Sequence, residues 1–126
     1  MNLFDLFKKV KVRSIAPQTL QAVQKEWQSI DQLLIGNQPS QLKQALISAD
    51  KTLDNILRDL YEGQTMADRL RNAKTNFGKD LYDVVWQAHL MRNTLVHESG
   101  IETPYHVLIQ KVKDLRQAVN YLGVRV

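Results

Sequence analysis

The segment from Asp80 to Ser99 reads DLYDVVWQAHLMRNTLVHES, and its composition is decisive for the fold. Apolar residues cover most of the circumference of a helix drawn through it: Leu81, Tyr82, Val84, Val85, Trp86, Ala88, Leu90, Met91, Leu95 and Val96. A helix that is apolar on most of its sides is normally buried by its neighbours. The segment therefore predicts the central helix of an all-α domain.

Three further long segments repeat apolar residues at spacings of three and four, which is typical of amphipathic helices. They run from about Pro17 to Ile35, from about Pro39 to Tyr61 and from about Thr103 to Leu122. A shorter helix is predicted from Thr65 to Gly78, and Thr65 and Thr103 are predicted N-terminal caps. Short connections favour antiparallel neighbours, so we predict an antiparallel four-helix bundle with an additional short helix.

The composition limits the class of protein. The chain has 126 residues, of which 44% are hydrophobic and 24% charged, and it contains no cysteine. These values fit one globular domain and exclude a disordered chain, a disulfide framework, a thiolate nucleophile and cysteine-type metal sites. The sequence has no apolar run of transmembrane length and no signal-peptide pattern at its start, so we expect a cytoplasmic protein with no transmembrane segment.

Basic charge is concentrated at the start of the chain. Residues 1–13 contain four basic residues and one acidic residue, whereas the rest of the chain carries 13 basic and 12 acidic residues. Leu3, Phe4 and Phe7 fall on one helical face of this segment. We therefore predict an amphipathic basic arm, residues 1–13, and a bundle domain, residues 14–126. The alternatives for the arm are packing on the bundle or on a second copy, binding of a protein partner, and contact with RNA or an anionic membrane surface.

Polar residues interrupt the apolar segment at Arg92-Asn93-Thr94-Leu95-Val96-His97, where burial without partners is costly. Four-residue spacing places His89, Asn93 and His97 in one row, and Arg92 lies about 140° around the helix from His97. An imidazole is suited to removing a proton from a ribose 2′-hydroxyl, and a guanidinium is suited to binding phosphate oxygens. His97 is therefore the candidate base and Arg92 the candidate phosphate ligand. Asn93 is predicted to orient His97 or to bind a phosphate oxygen.

RNA is the substrate that such a site predicts, because attack by a 2′-hydroxyl requires ribose. This chemistry requires no metal ion and no other cofactor. His89 and His97 are eight residues apart with no carboxylate on their row, which does not match the four-residue spacing of a helical zinc site. We therefore predict no metal and no cofactor.

Supporting roles are predicted for three residues near the motif. Asp50 falls near the apolar side of its helix, where Arg92 or His89 supplies a countercharge; a solvated position is the alternative. His89 is predicted to support the motif from the same row, with a packed histidine as the alternative. Glu98 is predicted to hold His97, with an ordinary exposed helix end as the alternative.

A basic group near the short helix is predicted to bind RNA phosphates, with a solvated surface as the alternative. It consists of Arg69, Arg71 and Lys74. Trp27 and Trp86 are interpreted as core residues because of their helical spacing, with base stacking as the alternative.

The motif from Arg92 to His97 resembles that of the HEPN superfamily, whose members are small helical bundles. From about Trp27 to Leu122 the chain also resembles small bacterial HEPN-like proteins, through Ala49-Asp50-Lys51, Gly63-Gln64-Thr65-Met66, Arg69-Leu70 and Trp86-Gln87-Ala88-His89. The resemblance implies a homodimer in which Arg92 and His97 of both copies line one cleft, and in many members a metal-independent ribonuclease activity. Toxin-type members carry a tyrosine two residues after the histidine, where this chain has Ser99.

Two interpretations of function therefore remain open. The first is an HEPN-like, RNA-binding homodimer that acts as a metal-independent endoribonuclease through Arg92, Asn93 and His97. The second is a non-catalytic helical scaffold or interaction module, in which the same side chains form a polar network that fixes a bundle or a dimer. Nucleotide binding by Arg92 without hydrolysis is a further alternative.

Overall fold

The computed structural model describes residues 13–126, which form six helices and no strand. The helices are α1 (Pro17–Gly36), α2 (Pro39–Leu60), α3 (Met66–Asn72), α4 (Lys74–Phe77), α5 (Lys79–His97) and α6 (Tyr105–Tyr121). The all-α prediction is confirmed, and the antiparallel order of the four long helices stays a prediction. The predicted arm, residues 1–13, lies outside the described residues apart from Arg13.

Local sequence sets the boundary between α1 and α2. Asn37 ends α1 in the left-handed conformation, with φ 55°, and its N–H bonds to the carbonyl of Leu33. Asparagine tolerates this conformation better than most residues, so the helix ends at Gly36, one residue later than predicted. Gln38 and Gln41 then form a reciprocal capping box, and Pro39 occupies the first turn of α2.

The predicted short helix consists of two helices. The Thr65 hydroxyl accepts a hydrogen bond from the Asp68 N–H at 3.1 Å, so the predicted cap is confirmed. The N–H of Ala73 bonds to the carbonyl of Leu70 as well as to that of Arg69, which tightens the turn between α3 and α4.

The predicted cap of the last helix is wrong, because Pro104 rather than Thr103 precedes α6. No side chain caps this end. Pro104 has φ −56° and ψ 144°, so its backbone is extended and the helix begins one residue later, at Tyr105. A proline is well suited to this place because it has no N–H that would need a partner.

The core is built around α2 rather than α5. Eleven residues of α2 are buried, whereas α5 buries only Val85, Ala88 and His89. α2 packs against α1, α3, α5 and α6, whereas α5 packs against α2, α4 and α6. The prediction of α5 as the central helix is therefore wrong. The neighbouring helices do not bury all of the apolar residues of α5, because Leu90 and Val96 are 55% and 46% exposed.

Trp27 is the predicted core residue that joins three helices. It is 1% exposed, and its Nε1 donates a hydrogen bond to the Thr52 hydroxyl at 3.0 Å. The Arg116 guanidinium of α6 lies 4.6 Å from the centre of the indole ring. Within residues 13–126, none of the helices combines the length and apolarity needed to cross a membrane.

Candidate functional site

A buried pair of ionisable side chains links α2 to α5. Asp50 and His89 are both buried, and Nδ1 of His89 lies 3.1 Å from each carboxylate oxygen of Asp50. A carboxylate can only accept hydrogen bonds, so Nδ1 carries the proton while Asp50 is ionised. Burial raises the pKa of Asp50, and the opposing effects of the His89 hydrogen bond and the nearby positive charges do not cancel it. A partner predicted for Asp50 is thus present.

Arg92 lies at the edge of this pair. Its Nε is 3.7 Å from Oδ2 of Asp50, and its Nη1 donates a hydrogen bond to Oδ1 of Asn93 at 3.2 Å. Nε is buried without a hydrogen-bond acceptor, while 31% of the side chain is exposed. A guanidinium has five N–H donors, and among residues 13–126 only Asn93 accepts a hydrogen bond from this one. The donors left on its two terminal nitrogens are available to an anion.

His97 stands apart from the cluster of Asp50, His89, Arg92 and Asn93. It is the last residue of α5 and is exposed. Within the described part of the chain, its side chain forms no hydrogen bond or ion pair with the cluster. One chain therefore brings together only part of the predicted site, because Arg92 and His97 point in directions about 140° apart around α5.

Glu98 is also exposed and follows the last turn of α5. Its backbone N–H bonds to the carbonyl of Thr94 at 2.9 Å and so ends the helix. Its side chain forms no hydrogen bond or ion pair with another residue between positions 13 and 126. Within one chain, Glu98 therefore occupies an ordinary exposed helix end, which was the alternative to a role in holding His97.

Arg69 is not a surface residue, and its predicted role in RNA binding is wrong. It is buried, and its Nε and Nη2 donate hydrogen bonds to Oδ1 of Asp54 at 3.1 and 3.0 Å. Its Nη1 donates to the carbonyl of Gly63 at 2.7 Å. Each of its three nitrogens donates to a partner within the domain, so the buried side chain joins α3 and the preceding loop to α2 and is not placed to bind a phosphate.

Arg71 and Lys74 remain at the surface, as the predicted basic group requires. The guanidinium of Arg71 lies 5.8 Å from the centre of the Trp86 ring, and Nζ of Lys74 lies 5.9 Å from the centre of the Tyr82 ring. Trp86 is only partly buried, although it packs against the core. The sequence favoured a core position for Trp86 over the alternative of base stacking, because its helical spacing is typical of a core stripe.

The cluster can bind an anion through the unused terminal donors of Arg92, and the imidazole of His97 is exposed. No group of three His, Asp or Glu side chains in residues 13–126 is placed to hold a metal ion. This chain matches no protein-family model, no curated protein and no solved structure.

Proposed function

We propose that this chain is an RNA-binding protein of the HEPN type that forms a homodimer and cleaves RNA without a metal ion. The proposal rests on the burial and the hydrogen bonding of Arg92. Its guanidinium is half-buried, lies against Asp50 on one side and keeps donors that no residue between 13 and 126 uses. Forked donors of this kind match the oxygens of a phosphate. The resemblance of the Arg92–His97 segment to the HEPN motif supports the same conclusion.

In the proposed reaction, His97 removes the proton of a ribose 2′-hydroxyl, and the 2′-oxygen attacks the adjacent phosphorus. The bond to the 5′-oxygen breaks, which leaves a 2′,3′-cyclic phosphate and, after protonation, a 5′-hydroxyl. Arg92 stabilises the negative charge that develops on the pentavalent phosphate. His97 of the second copy is suited to protonate the leaving oxygen.

A second copy supplies what one chain lacks. Arg92 and His97 of one chain lie on different sides of α5 and do not meet at one phosphate. Leu90 and Val96 are exposed on the same helix, and their burial against another α5 is favoured by the hydrophobic effect. A two-fold interface along α5 is the arrangement that puts Arg92 of one copy near His97 of the other.

The experiment is an RNA cleavage assay in the presence of a chelator. We expect the wild-type chain to cleave RNA but not DNA and to leave 2′,3′-cyclic phosphate ends. Arg92→Ala and His97→Ala should each lose the activity while keeping the wild-type circular dichroism spectrum. His106→Ala is the matched control, because His106 is an exposed histidine in the first turn of α6, outside the motif. Undiminished cleavage by His97→Ala contradicts the proposal.

The contact between Arg92 and Asp50 favours one alternative, a non-catalytic interaction module. In this module the cluster fixes α5 on α2, and the exposed apolar residues of α5 bind another protein. The same assay separates the two functions. A chain that self-associates or binds a protein partner, but neither binds nor cleaves RNA, fits the module and not the ribonuclease.

A further inference from the structure

Two aromatic rings on α5 form a surface that the proposed chemistry does not use. Tyr82 and Trp86 are one turn apart and meet edge to face, with ring centres 6.2 Å apart. The ring of Trp86 in turn meets that of His89 at 6.0 Å, also edge to face. The aromatic surface is therefore continuous with the buried pair of His89 and Asp50. Both Tyr82 and Trp86 are partly exposed.

Two cations from the short helices lie over these rings. Arg71 lies over Trp86 at 5.8 Å and Lys74 over Tyr82 at 5.9 Å, close to the outer limit of about 6 Å for a cation–π contact. Arg71 also pairs with Asp68 at 2.8 Å, but both side chains of this pair are well exposed. Exposed ion pairs and long cation–π contacts are weak. Both cations can therefore exchange these contacts for a phosphate at little cost.

The aromatic rings share one side of α5 with Asn93 and His97, whereas Arg92 points to another side. Steps of four, seven and four residues lead from Tyr82 through Trp86 and Asn93 to His97, and such steps keep to one helix face. With a rise of 1.5 Å per residue, Trp86 lies about 9 Å along the axis from Arg92 and about 16 Å from His97. A strand that follows this face therefore passes the rings before it reaches His97.

We propose that these side chains form a stacking subsite for the unpaired bases of single-stranded RNA. The stacking subsite consists of Tyr82, Trp86, Arg71 and Lys74. Single-stranded nucleic acid is the polymer that offers free base faces to the rings and regularly spaced phosphates to the cations. In a duplex the base faces are covered by stacking. The choice of RNA as the ligand rests on the proposed function, and the subsite adds a preference for single strands.

Trp86 makes the subsite measurable, because the chain has two tryptophans and Trp27 is 1% exposed. The probe is a fluorescently labelled 2′-O-methyl RNA strand, which lacks the attacking hydroxyl and stays intact. Its binding is followed by anisotropy, and stacking is followed by the quenching of tryptophan fluorescence. We expect the single strand to bind and to quench, and the duplex of the same sequence to bind about tenfold more weakly or worse.

Substitutions of Trp86 test whether RNA binding requires an aromatic ring or only an apolar side chain. Trp86→Phe should retain most of the binding and lose the quenching, whereas Trp86→Leu should weaken binding about tenfold or more. If Trp86→Leu does not fold, Tyr82→Leu replaces it. The double variant Arg71→Gln, Lys74→Gln should lower the salt dependence of binding, by about 0.7 in the logarithmic slope for each phosphate that is no longer neutralised. Lys25→Gln, an exposed lysine on α1, is the control and should leave the slope unchanged.

Binding that is equal for strand and duplex, or unchanged in Trp86→Leu, overturns the stacking subsite. Cleavage of unmodified RNA by the wild type would then still stand. If binding depends on Trp86 but unmodified RNA is not cleaved, the stacking subsite is supported and the ribonuclease activity is contradicted. If tryptophan fluorescence is quenched as the protein concentration rises, without any RNA, the rings belong to the interface between copies. That result overturns the stacking subsite.

Discussion

Nδ1 of His89 lies 3.1 Å from both carboxylate oxygens of Asp50, and this contact fixes the rotation of α5 against α2. The two residues are 39 positions apart in sequence and are both buried. Because Arg92 also lies against Asp50, the direction of its guanidinium depends on the same carboxylate. A buried charge is costly without partners, so the orientation of the motif and the stability of the domain are coupled.

Asp50→Asn should flatten the pH dependence of the free energy of unfolding. Burial raises the pKa of Asp50 in the folded chain above its ordinary value of 3.8, so protonation favours the folded state. This stabilising contribution is complete below pH 3.8 and is lost as the pH rises through the folded-state pKa. Asparagine does not titrate and shows no such loss.

Urea unfolding of both chains at a series of pH values from about 3 to about 8 tests this expectation. The free energy of unfolding of the wild type, minus that of Asp50→Asn, should fall as the pH rises above 3.8. Asp54, His89 and Arg92 act on Asp50 in the wild type, and all three are retained in the variant. A difference that stays constant over this range contradicts the raised pKa.

Arg69→Met should destabilise the domain by about 2 kcal/mol or more, because Asp54 keeps only its exposed partner, Arg58. The carbonyl of Gly63 also loses its donor. Arg71→Met is the matched control on the same helix, and its exposed contacts should cost about 1 kcal/mol or less. Both values come from urea unfolding at neutral pH. Equal, small effects of the two substitutions would mean that Arg69 is not buried.

Leu90→Glu should abolish self-association and leave the stability of the single chain nearly unchanged. Leu90 is 55% exposed in one chain, so a charge there harms only an interface that covers it. Ile35→Glu is the control, because Ile35 is 74% exposed near the end of α1. Sedimentation equilibrium should show a monomer for Leu90→Glu and a dimer for the wild type and Ile35→Glu. A dimer that survives Leu90→Glu excludes α5 as the interface.

Helix positions were predictable from sequence because apolar spacing and caps are local features. Thr65 caps α3 as expected, and each long helix lies within a few residues of its predicted range. The central helix was not predictable in the same way. An apolar segment such as α5 indicates that burial is favourable, but it does not distinguish burial by the same chain from burial by a second molecule.

The partners of the charged side chains could not be predicted from the sequence either. Arg69 and Arg71 are basic residues of one short helix, yet Arg69 is buried against Asp54 and Arg71 is exposed. Which of them meets a carboxylate depends on how α3 lies on α2, and residue spacing contains no information about that. Likewise, the sequence offered Arg92 or His89 as the partner of Asp50, and the structure has both.

Mixing Arg92→Ala with His97→Ala chains should restore part of the RNA cleavage that each variant lacks alone. We expect one cleft to contain Arg92 and His97 of both copies. The Arg92→Ala homodimer then has no motif guanidinium in its cleft, and the His97→Ala homodimer has no motif imidazole. A mixed dimer keeps one Arg92 and one His97. Its rate should stay below that of the wild type, because a single imidazole serves as base while water must protonate the leaving oxygen.

The rate should grow with the time allowed for subunits to exchange before RNA is added. The control is the same mixture with Leu90→Glu in both chains, which should stay inactive because mixed dimers do not form. If the mixture stays inactive after exchange, although mixed dimers are detected by mass, the cleft is not shared between copies. Arg92 and His97, which point about 140° apart around α5, would then have no route to one phosphate.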